Sequence, residues 1–369
     1  MLKLIQNNTL GNNLTNNINC SKTQLKIVQP VFTGETDKAE FSNTKSNTAK
    51  NKKSLKEMLM SLLESILSVF RQETSSEKVA NAEPIDIKDA SKKLKKASQL
   101  MNDFATILEE DQKRSTPVFK DIKEGTLQKI FQLALRNQDK PALLGIVGGS
   151  ASGKSTISKQ FVKNINELAP PNNNGVPLIS EISQDNFYYN FSKEIEKMGS
   201  EEFFKTKNLN EPKAVELDLL AEKLATLKQG KEIKTPHYLI DGTGRREDDA
   251  ITVKPSPLVT VEGLLILANK KVRDLFDLRI FIDASKEVRT KRWWDRAPDR
   301  NIKDDAGGRA LFKMTMDMHD KHVERYKPTA DIVLNSEAKF DDTKTVLKQL
   351  AEAITKPVSF AGLFKKKAA

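Results

Sequence analysis

The sequence predicts an α/β fold in which helices flank a parallel β-sheet, preceded by a helical extension. Short apolar runs alternate with amphipathic stretches between residues 142 and 354, a pattern typical of parallel strands joined by crossover helices. The first run, residues 142–147, is apolar throughout, as expected of a strand buried on both faces. A glycine-rich segment at 148–153 then separates this strand from a helical pattern.

The remaining elements follow the same two patterns along the chain. Strands are predicted at 142–147, 178–184, 257–261, 278–283 and 331–334. Helices are predicted at 155–168, 192–206, 214–229, 285–298, 305–325 and 341–354. Because the carboxyl ends of parallel strands lie at one edge of a sheet, we expect the ligand crevice at that edge.

The region before the predicted sheet divides into three parts. Residues 1–53 are rich in Asn, Ser, Thr and Lys and are predicted to be disordered. Amphipathic stretches at about 55–71 and 91–110 predict a helical extension over residues 54–119. A third helix is predicted from Lys120 to Asn137, at the start of an α/β domain placed at 120–356, and a basic tail follows at 357–369.

Composition narrows the class of protein. The 369 residues carry a net charge of +11, which suits anionic ligands such as nucleotides. Only 6% of residues are aromatic and no RNA-binding signature is present, so no nucleic-acid partner is expected. A single cysteine rules out an intramolecular disulfide. Since neither a membrane span nor a signal-peptide core is evident, the sequence predicts a cytoplasmic protein.

Residues 148–156 carry the strongest functional pattern. They read G-G-S-A-S-G-K-S-T and match the phosphate-binding pattern G-x-x-x-x-G-K-S, in the expected place between a strand and a helix. Glycines let successive backbone N–H groups turn towards a phosphate, and the helix N-terminus adds partial positive charge. The residues predicted to bind ATP here are Gly148, Gly149, Ser150, Ala151, Ser152, Gly153, Lys154, Ser155 and Thr156.

Charged residues follow the other predicted strands. Asp185 comes after the second strand and Glu262 ends the third, so both are expected at the crevice. Four arginines follow the fourth strand, and the first three share one helix face that can close over phosphates as a lid. These arginines are Arg289, Arg292, Arg296 and Arg300.

The region from 142 to about 335 resembles the uridine kinase family, within the wider group of P-loop kinases that includes phosphoribulokinase and bacterial pantothenate kinase. The resemblance rests on the glycine loop and five further segments. These are D-x-F-Y at Asp185–Tyr188, N-L-N-E-P at 208–212, Pro236-x-Tyr238 with Arg245, E-G-L-L at 262–265 and A-D-I-V at 330–333. It implies that a P-loop kinase domain at 120–356 transfers the γ-phosphoryl group of ATP to a hydroxyl of a small acceptor.

The resemblance also assigns roles to these residues. Lys154, Asp185, Arg292 and Arg296 are expected to be catalytic, with Asp185 accepting or orienting the hydroxyl proton. Ser155 and Glu262 are expected to hold Mg²⁺. Arg289 and Arg300 are expected to contact ATP. The residues expected to contact the acceptor are Asp185, Phe187, Tyr188, Asn210, Tyr238 and Arg245.

The acceptor side departs from the family pattern and leaves the substrate open. Asn210 stands where the family has an aspartate, and Thr243 where it has a histidine that contacts the base. The loss of such polar partners strongly changes how well a site discriminates between substrates. Two kinds of acceptor therefore stay open: uridine or cytidine, and another metabolite such as a sugar, a sugar phosphate or a pantothenate-like compound.

A different class of function is also open. The chain can be a kinase-like scaffold or regulatory protein whose N-terminal helices bind a protein partner or self-associate into a homo-oligomer. A GTPase is disfavoured by the lack of an N-K-x-D guanine-reading sequence, and an ABC-type ATPase by the lack of L-S-G-G-Q. His319 and His322 have helical spacing but no supporting ligand cluster, so zinc is not expected. Deleting residues 1–115 is expected to leave turnover largely unchanged.

Overall fold

The computed structural model describes residues 99, 102–123, 125–135, 140–172, 174–199, 202–203, 206–239, 244–300 and 302–355. The segment expected to be disordered at 1–53, the helix expected at 55–71, half of the helix expected at 91–110 and the tail at 357–369 lie outside these residues. Within the described ranges, no helix has both the length and the apolar character needed to cross a membrane.

Helices and strands alternate along the described chain. The strands are β1 (Phe119–Ile122), β2 (Ala142–Gly148), β3 (Ile179–Ser183), β4 (Ile233–Leu239), β5 (Gly244–Val253), β6 (Leu258–Gly263), β7 (Leu278–Asp283) and β8 (Ile332–Asn335). The helices are α1 (residues 102–112), α2 (Thr126–Leu135), α3 (Lys154–Asn166), α4 (Ser192–Met198), α5 (Leu217–Lys228), α6 (Lys270–Leu275), α7 (Lys286–Asp295), α8 (Ala306–His322) and α9 (Phe340–Thr355).

A six-stranded sheet forms the centre of the fold. Its strand order is β1-β8-β7-β2-β6-β3, and the strands from β8 to β3 run parallel while β1 pairs antiparallel with β8. Strands β4 and β5 form a separate antiparallel pair. The predicted α/β fold with a mostly parallel sheet is confirmed, and the ends of β3, β6, β2, β7 and β8 lie along one edge.

Two apolar layers cover the two faces of the sheet. Alternate residues of β2 enter opposite layers, with Leu144 and Ile146 in one and Leu143 and Val147 in the other. Helices α2, α3 and α9 pack together on the first face, and α5 and α6 pack together on the second. Because both faces are covered, β2 is buried along its whole length, which accounts for its uninterrupted apolar sequence.

The helix predicted from Lys120 is wrong at its start. Residues Phe119–Ile122 form strand β1, and the helix begins only at Thr126. Gly125, with a φ of 83°, separates the two elements because a left-handed residue can continue neither of them. Strands β4 and β5 and helix α6 are further elements that the hydrophobic pattern did not predict.

Helix α1 packs into the first apolar layer. Phe104 is 2% exposed and lies in the same cluster of buried residues as β2 and α3. The buried carboxylate of Asp111 accepts hydrogen bonds from the backbone N–H groups of Val118 and Phe119, at 3.0 and 2.8 Å. The hydrophobic core therefore includes side chains that precede residue 120.

Candidate active site

The glycine-rich loop joins β2 to α3 in a turn that only small residues can form. A Cβ on Gly148 would lie 2.5 Å from Ser152 Oγ and 2.7 Å from the carbonyl oxygen of Ile282. Gly153 precedes α3 with a φ of 93°, and Ala151 also has a positive φ of 64°. Ser152 Oγ is buried and has no hydrogen-bond partner among the described residues. The loop thus encloses a buried hydroxyl that a ligand can satisfy.

Three side chains meet around Glu262, at the end of the neighbouring strand β6. Its carboxylate lies 3.6 Å from Lys154 Nζ and accepts hydrogen bonds from Ser155 Oγ at 3.2 Å and from Ser183 Oγ at 2.7 Å. The register pairs Glu262 with Ile146 of β2 and with Ser183 of β3. The parallel sheet therefore brings together residues that are more than 100 positions apart in sequence.

Asp185 lies next to this cluster, in the turn after β3. The hydroxyl of Ser183 accepts a hydrogen bond from the backbone N–H of Asp185 at 3.3 Å, which caps the turn. Burial raises the pKa of the Asp185 carboxyl, and the charge of Glu262 raises it further, while Lys154 and Arg300 act in the opposite direction. A raised pKa makes this carboxylate a better proton acceptor than an ordinary aspartate.

Two tyrosines stand beside Asp185. The rings of Tyr188 and Tyr238 lie 5.6 Å apart, centre to centre. Burial raises the pKa of both phenols, and the negative charge of Asp185 raises them further. Both hydroxyl groups therefore stay protonated and can donate hydrogen bonds to an acceptor. Asn186 fixes the second tyrosine, because its Oδ1 accepts from the backbone N–H of Tyr238 at 3.2 Å.

The other residues expected on the acceptor side differ in their surroundings. Arg245 forms an ion pair with Glu216. The backbone N–H of Asn210 donates to Asn208 Oδ1 at 2.9 Å, which closes the loop at 208–212 on itself. Phe187 has no exposed surface and packs in the second apolar layer, so it anchors the turn from below instead of contacting a ligand.

The four arginines do not form one uniform lid. Arg292 bridges two loops: Nη1 donates to the carbonyl of Ser152 at 3.2 Å, and Nη2 donates to the carbonyl of Ser336 at 2.9 Å. Burial lowers the pKa of Arg296, and its neighbours Arg300 and Arg292 lower it further, so these three guanidinium groups concentrate positive charge.

Arg289 lies apart from this group. It is 4% exposed, and its guanidinium donates to the carbonyl of Ala284 at 3.3 Å and to Met316 Sδ at 3.4 Å. Its side chain runs behind the glycine loop, with Cδ 3.2 Å from the position of a Cβ on Gly149. The structure therefore does not place this guanidinium with Arg292, Arg296 and Arg300, because the side chain is packed under the loop.

Some residues of the site carry no motif signal. Ser183 and Glu216 contact Glu262 and Arg245, and neither was singled out from the sequence. Ser183 could have been found because it is a polar residue at the end of a predicted strand. A groove of about 460 Å³, lined in part by Tyr189, Lys213 and Glu216, opens beside the acceptor side. Among the described residues, no group of three or more His, Cys, Asp and Glu side chains is arranged to ligate a metal ion.

Comparison with known proteins gives a consistent result. The profile of the Phosphoribulokinase / Uridine kinase family matches residues 143–352. A uridine kinase of Clostridium tetani is 32% identical over 196 residues, covering 53% of this chain and 87% of that protein. A uridine kinase of Staphylococcus aureus is 32% identical over 193 residues, covering 52% and 86%. The crystal structure of phosphoribulokinase from Rhodobacter spheroides superposes with a TM-score of 0.40 at 18% identity, covering 53% and 70%.

Proposed function

The chain belongs to the phosphoribulokinase/uridine kinase family, and from that premise we propose that it phosphorylates a hydroxyl group of a small, uncharged acceptor. Membership makes it an ATP-dependent kinase most like uridine kinase. The observation that carries the proposal is the convergence of Lys154, Glu262 and Asp185 at one edge of the sheet. The cation on the donor side (Lys154), the oxygen that would bind the metal ion (Glu262) and the proton acceptor (Asp185) are thus adjacent.

The donor side fits a nucleotide with Mg²⁺. The glycine loop leaves no room for side chains on its inner turn, and the buried Ser152 hydroxyl lacks a partner that a phosphate oxygen would supply. Hydroxyl and carboxylate oxygens are the ligands that Mg²⁺ prefers, so Ser155 and Glu262 would hold it, directly or through water. When bound, the metal neutralises charge on the phosphate oxygens.

The protein's own contribution is positioning and charge. Lys154 supplies positive charge to the transferred phosphoryl group, and the cluster of Arg292, Arg296 and Arg300 supplies more. Asp185 accepts the proton of the attacking hydroxyl, since burial raises its pKa towards the range suited to a general base. Enclosure by the arginines keeps water from competing with the acceptor.

Charge balance on the acceptor side favours a neutral substrate. Arg245 is paired with Glu216, and Lys213 lies 2.6 Å from a carboxylate oxygen of Glu211. A phosphorylated acceptor would have to displace Glu216 from Arg245, which costs this largely buried ion pair and adds repulsion. The exposed pair of Lys213 and Glu211 contributes little. The phenols of Tyr188 and Tyr238 and nearby amides suit hydroxyl and carbonyl groups instead. We therefore favour a nucleoside or a similar polyhydroxylated compound over a sugar phosphate.

A panel assay tests this proposal. ADP release from Mg²⁺-ATP is measured with uridine, cytidine, free sugars, sugar phosphates and pantothenate, using the full-length chain. We expect stimulation by an uncharged acceptor, abolished in both Lys154→Ala and Asp185→Asn. Stimulation by sugar phosphates alone would contradict the acceptor class. Equal stimulation of the wild type and Lys154→Ala would contradict the mechanism.

A further inference from the structure

The second glycine of the loop, Gly149, lies directly against the side chain of His319 in α8. A Cβ on Gly149 would come within 2.4 Å of His319 Nδ1 and 2.7 Å of Cε1, distances that real Cβ atoms essentially never show. Gly149 is not among the glycines with a positive φ, so its backbone conformation is open to other residues. The imidazole, and not the backbone, therefore requires glycine at this position.

A contact with Glu324, itself part of a chain of ion pairs, holds His319 in place. The residue is 5% exposed, and its Nε2 lies 3.3 Å from a carboxylate oxygen of Glu324. Lys327 contacts both Glu324 at 3.1 Å and Asp283, the last residue of β7, at 2.9 Å. The hydrogen bond from His319 lowers the pKa of Glu324 to about 2, so this carboxylate remains charged and keeps its partners. The ring orientation is thereby tied to the end of a central strand.

The imidazole shares the space behind the loop with Arg289, whose Cδ lies 3.2 Å from the position of a Cβ on Gly149. Both side chains also line an open cavity of about 330 Å³, together with Asp283, Glu324 and Lys327. Without the imidazole, the first turn of the loop would border this cavity. A glycine loop has no side chains of its own with which to anchor its main chain, so its shape depends on what packs against it.

We propose that His319 is a positioning residue whose imidazole braces Gly149 from behind and holds the glycine loop in the shape that binds phosphates, with Glu324 fixing the ring. The inference rests on the proposed nucleotide site and adds a residue that contacts neither ATP nor the acceptor. Small displacements of a positioned group are costly, since about 1 Å changes rates by up to about 100-fold. The main effect should be on nucleotide affinity, because the reacting groups themselves remain.

A double-mutant cycle separates bracing from general damage. The methyl group of Gly149→Ala collides with the imidazole in the wild type, whereas in His319→Ala its nearest remaining neighbour is Arg289 Cδ at 3.2 Å, a contact that a shift of a few tenths of an ångström relieves. We expect Gly149→Ala to weaken binding of a non-hydrolysable ATP analogue about tenfold in the wild type and less than about threefold in the His319→Ala background, a coupling within the usual range for contacting residues. Equal losses in both backgrounds would overturn the proposal.

Binding is followed by the fluorescence of Trp293 and Trp294, the two tryptophans of the chain. Trp293 packs in the same buried cluster as Ala151 of the loop, so its emission is expected to change when the loop binds a nucleotide. The control is Asp317→Asn, which alters an exposed residue of α8 that pairs with Lys313 and should bind the analogue like the wild type.

Further variants keep the test decisive. If His319→Ala does not fold, as judged by thermal melting, His319→Asn replaces it, since the shorter side chain also leaves room for a methyl group and the same coupling is expected. Glu324→Gln should weaken analogue binding less than His319→Ala, because the ring stays but its orientation relaxes; wild-type binding would contradict the role of Glu324.

The turnover of Lys154→Ala is measured alongside, to separate the two proposals. If this variant turns over like the wild type, the proposed function fails. If it is inactive and the cycle shows no coupling, only the role of His319 fails.

Discussion

Replacing Asp185 with asparagine should abolish activity and at the same time stabilise the folded protein. Both effects come from the place of this carboxylate, at the end of β3 beside Glu262. Burial and the neighbouring negative charge raise its pKa, and the opposing influence of Lys154 and Arg300 does not cancel them. An amide of nearly the same shape keeps the packing but has no charge to bury.

The size of the stability effect depends on pH. The folded protein holds the Asp185 proton more tightly than the unfolded chain does, so ionisation penalises the folded state. Below the ordinary aspartate pKa of about 3.9, both states are protonated and the penalty is absent. It grows as pH rises through the folded-state pKa and is complete above it. Each unit of displacement corresponds to about 1.4 kcal/mol, which the asparagine variant would recover at neutral pH.

The catalytic effect is larger and has the opposite sign. Removing a general base costs about 10²–10⁴ in rate, or about 3–5 kcal/mol of transition-state stabilisation. In the wild type, kcat should fall with decreasing pH at a higher pH than an ordinary aspartate would give, because the carboxylate must be ionised to accept a proton.

The assay combines turnover with thermal melting of the unliganded protein between pH 4 and 8, so that the second measurement needs no known acceptor. The gain in Tm of Asp185→Asn over the wild type should shrink as the pH falls. Asp274→Asn is the matched control, because this exposed carboxylate has its pKa lowered by Lys270 and should give neither a gain in Tm nor a loss of turnover. A variant that is destabilised at neutral pH, or that retains turnover, would refute the reasoning.

Three further outcomes follow from the same geometry. Lys154→Ala should lower turnover by at least about 100-fold without unfolding the protein, measured by ADP release and melting. Glu216→Gln should release Arg245 from its ion pair and improve kcat/KM for sugar phosphates relative to nucleosides by about tenfold, since hydrogen bonds to charged groups contribute about 1.5–3 kcal/mol; an unchanged ratio would argue against Arg245 facing the acceptor. Phe104→Ala should cost about 3–5 kcal/mol of folding stability in a denaturant titration, and deleting residues 1–115 should cost more, because α1 supplies buried core residues.

The parts of the fold that sequence predicted are those whose signal is local. Strands β2 and β7 are buried on both faces, so their apolar runs stand out, and residues 278–283 were bounded correctly. Strand β1 was missed because Phe119–Ile122 does not alternate: its two apolar residues are three positions apart, a helical spacing that merges with the amphipathic pattern of α2. Strand β5 was missed because it begins with a charged stretch, and its partner β4 contains Pro236, which ordinarily argues against a strand.

The candidate site likewise contains parts with a local sequence signal and parts without one. The glycine loop could be identified from sequence because its function depends on consecutive residues whose backbone does the binding. The contact between Gly149 and His319 could not, because it joins positions 170 residues apart and His319 carries no motif. From the helical spacing in the sequence, His319 was considered together with His322. In the structure, His319 instead contacts Glu324 and the loop.

The donor side and the acceptor side of the site differ in how many separate elements build them. The groups that contact the phosphates and the metal ion most directly come from one uninterrupted segment and one carboxylate, Glu262, so this part of the donor side tolerates little change without loss of phosphoryl transfer. The acceptor side is assembled from separate elements: the turn at Asp185, the loop at 208–212, Glu216 before α5 and the β4–β5 pair. A substitution such as asparagine at position 210 changes only one of these elements and leaves Lys154 and Asp185 in place. Substrate specificity can therefore drift while the reaction stays the same, and for that reason acceptor choice should respond to Glu216→Gln while ATP affinity should not.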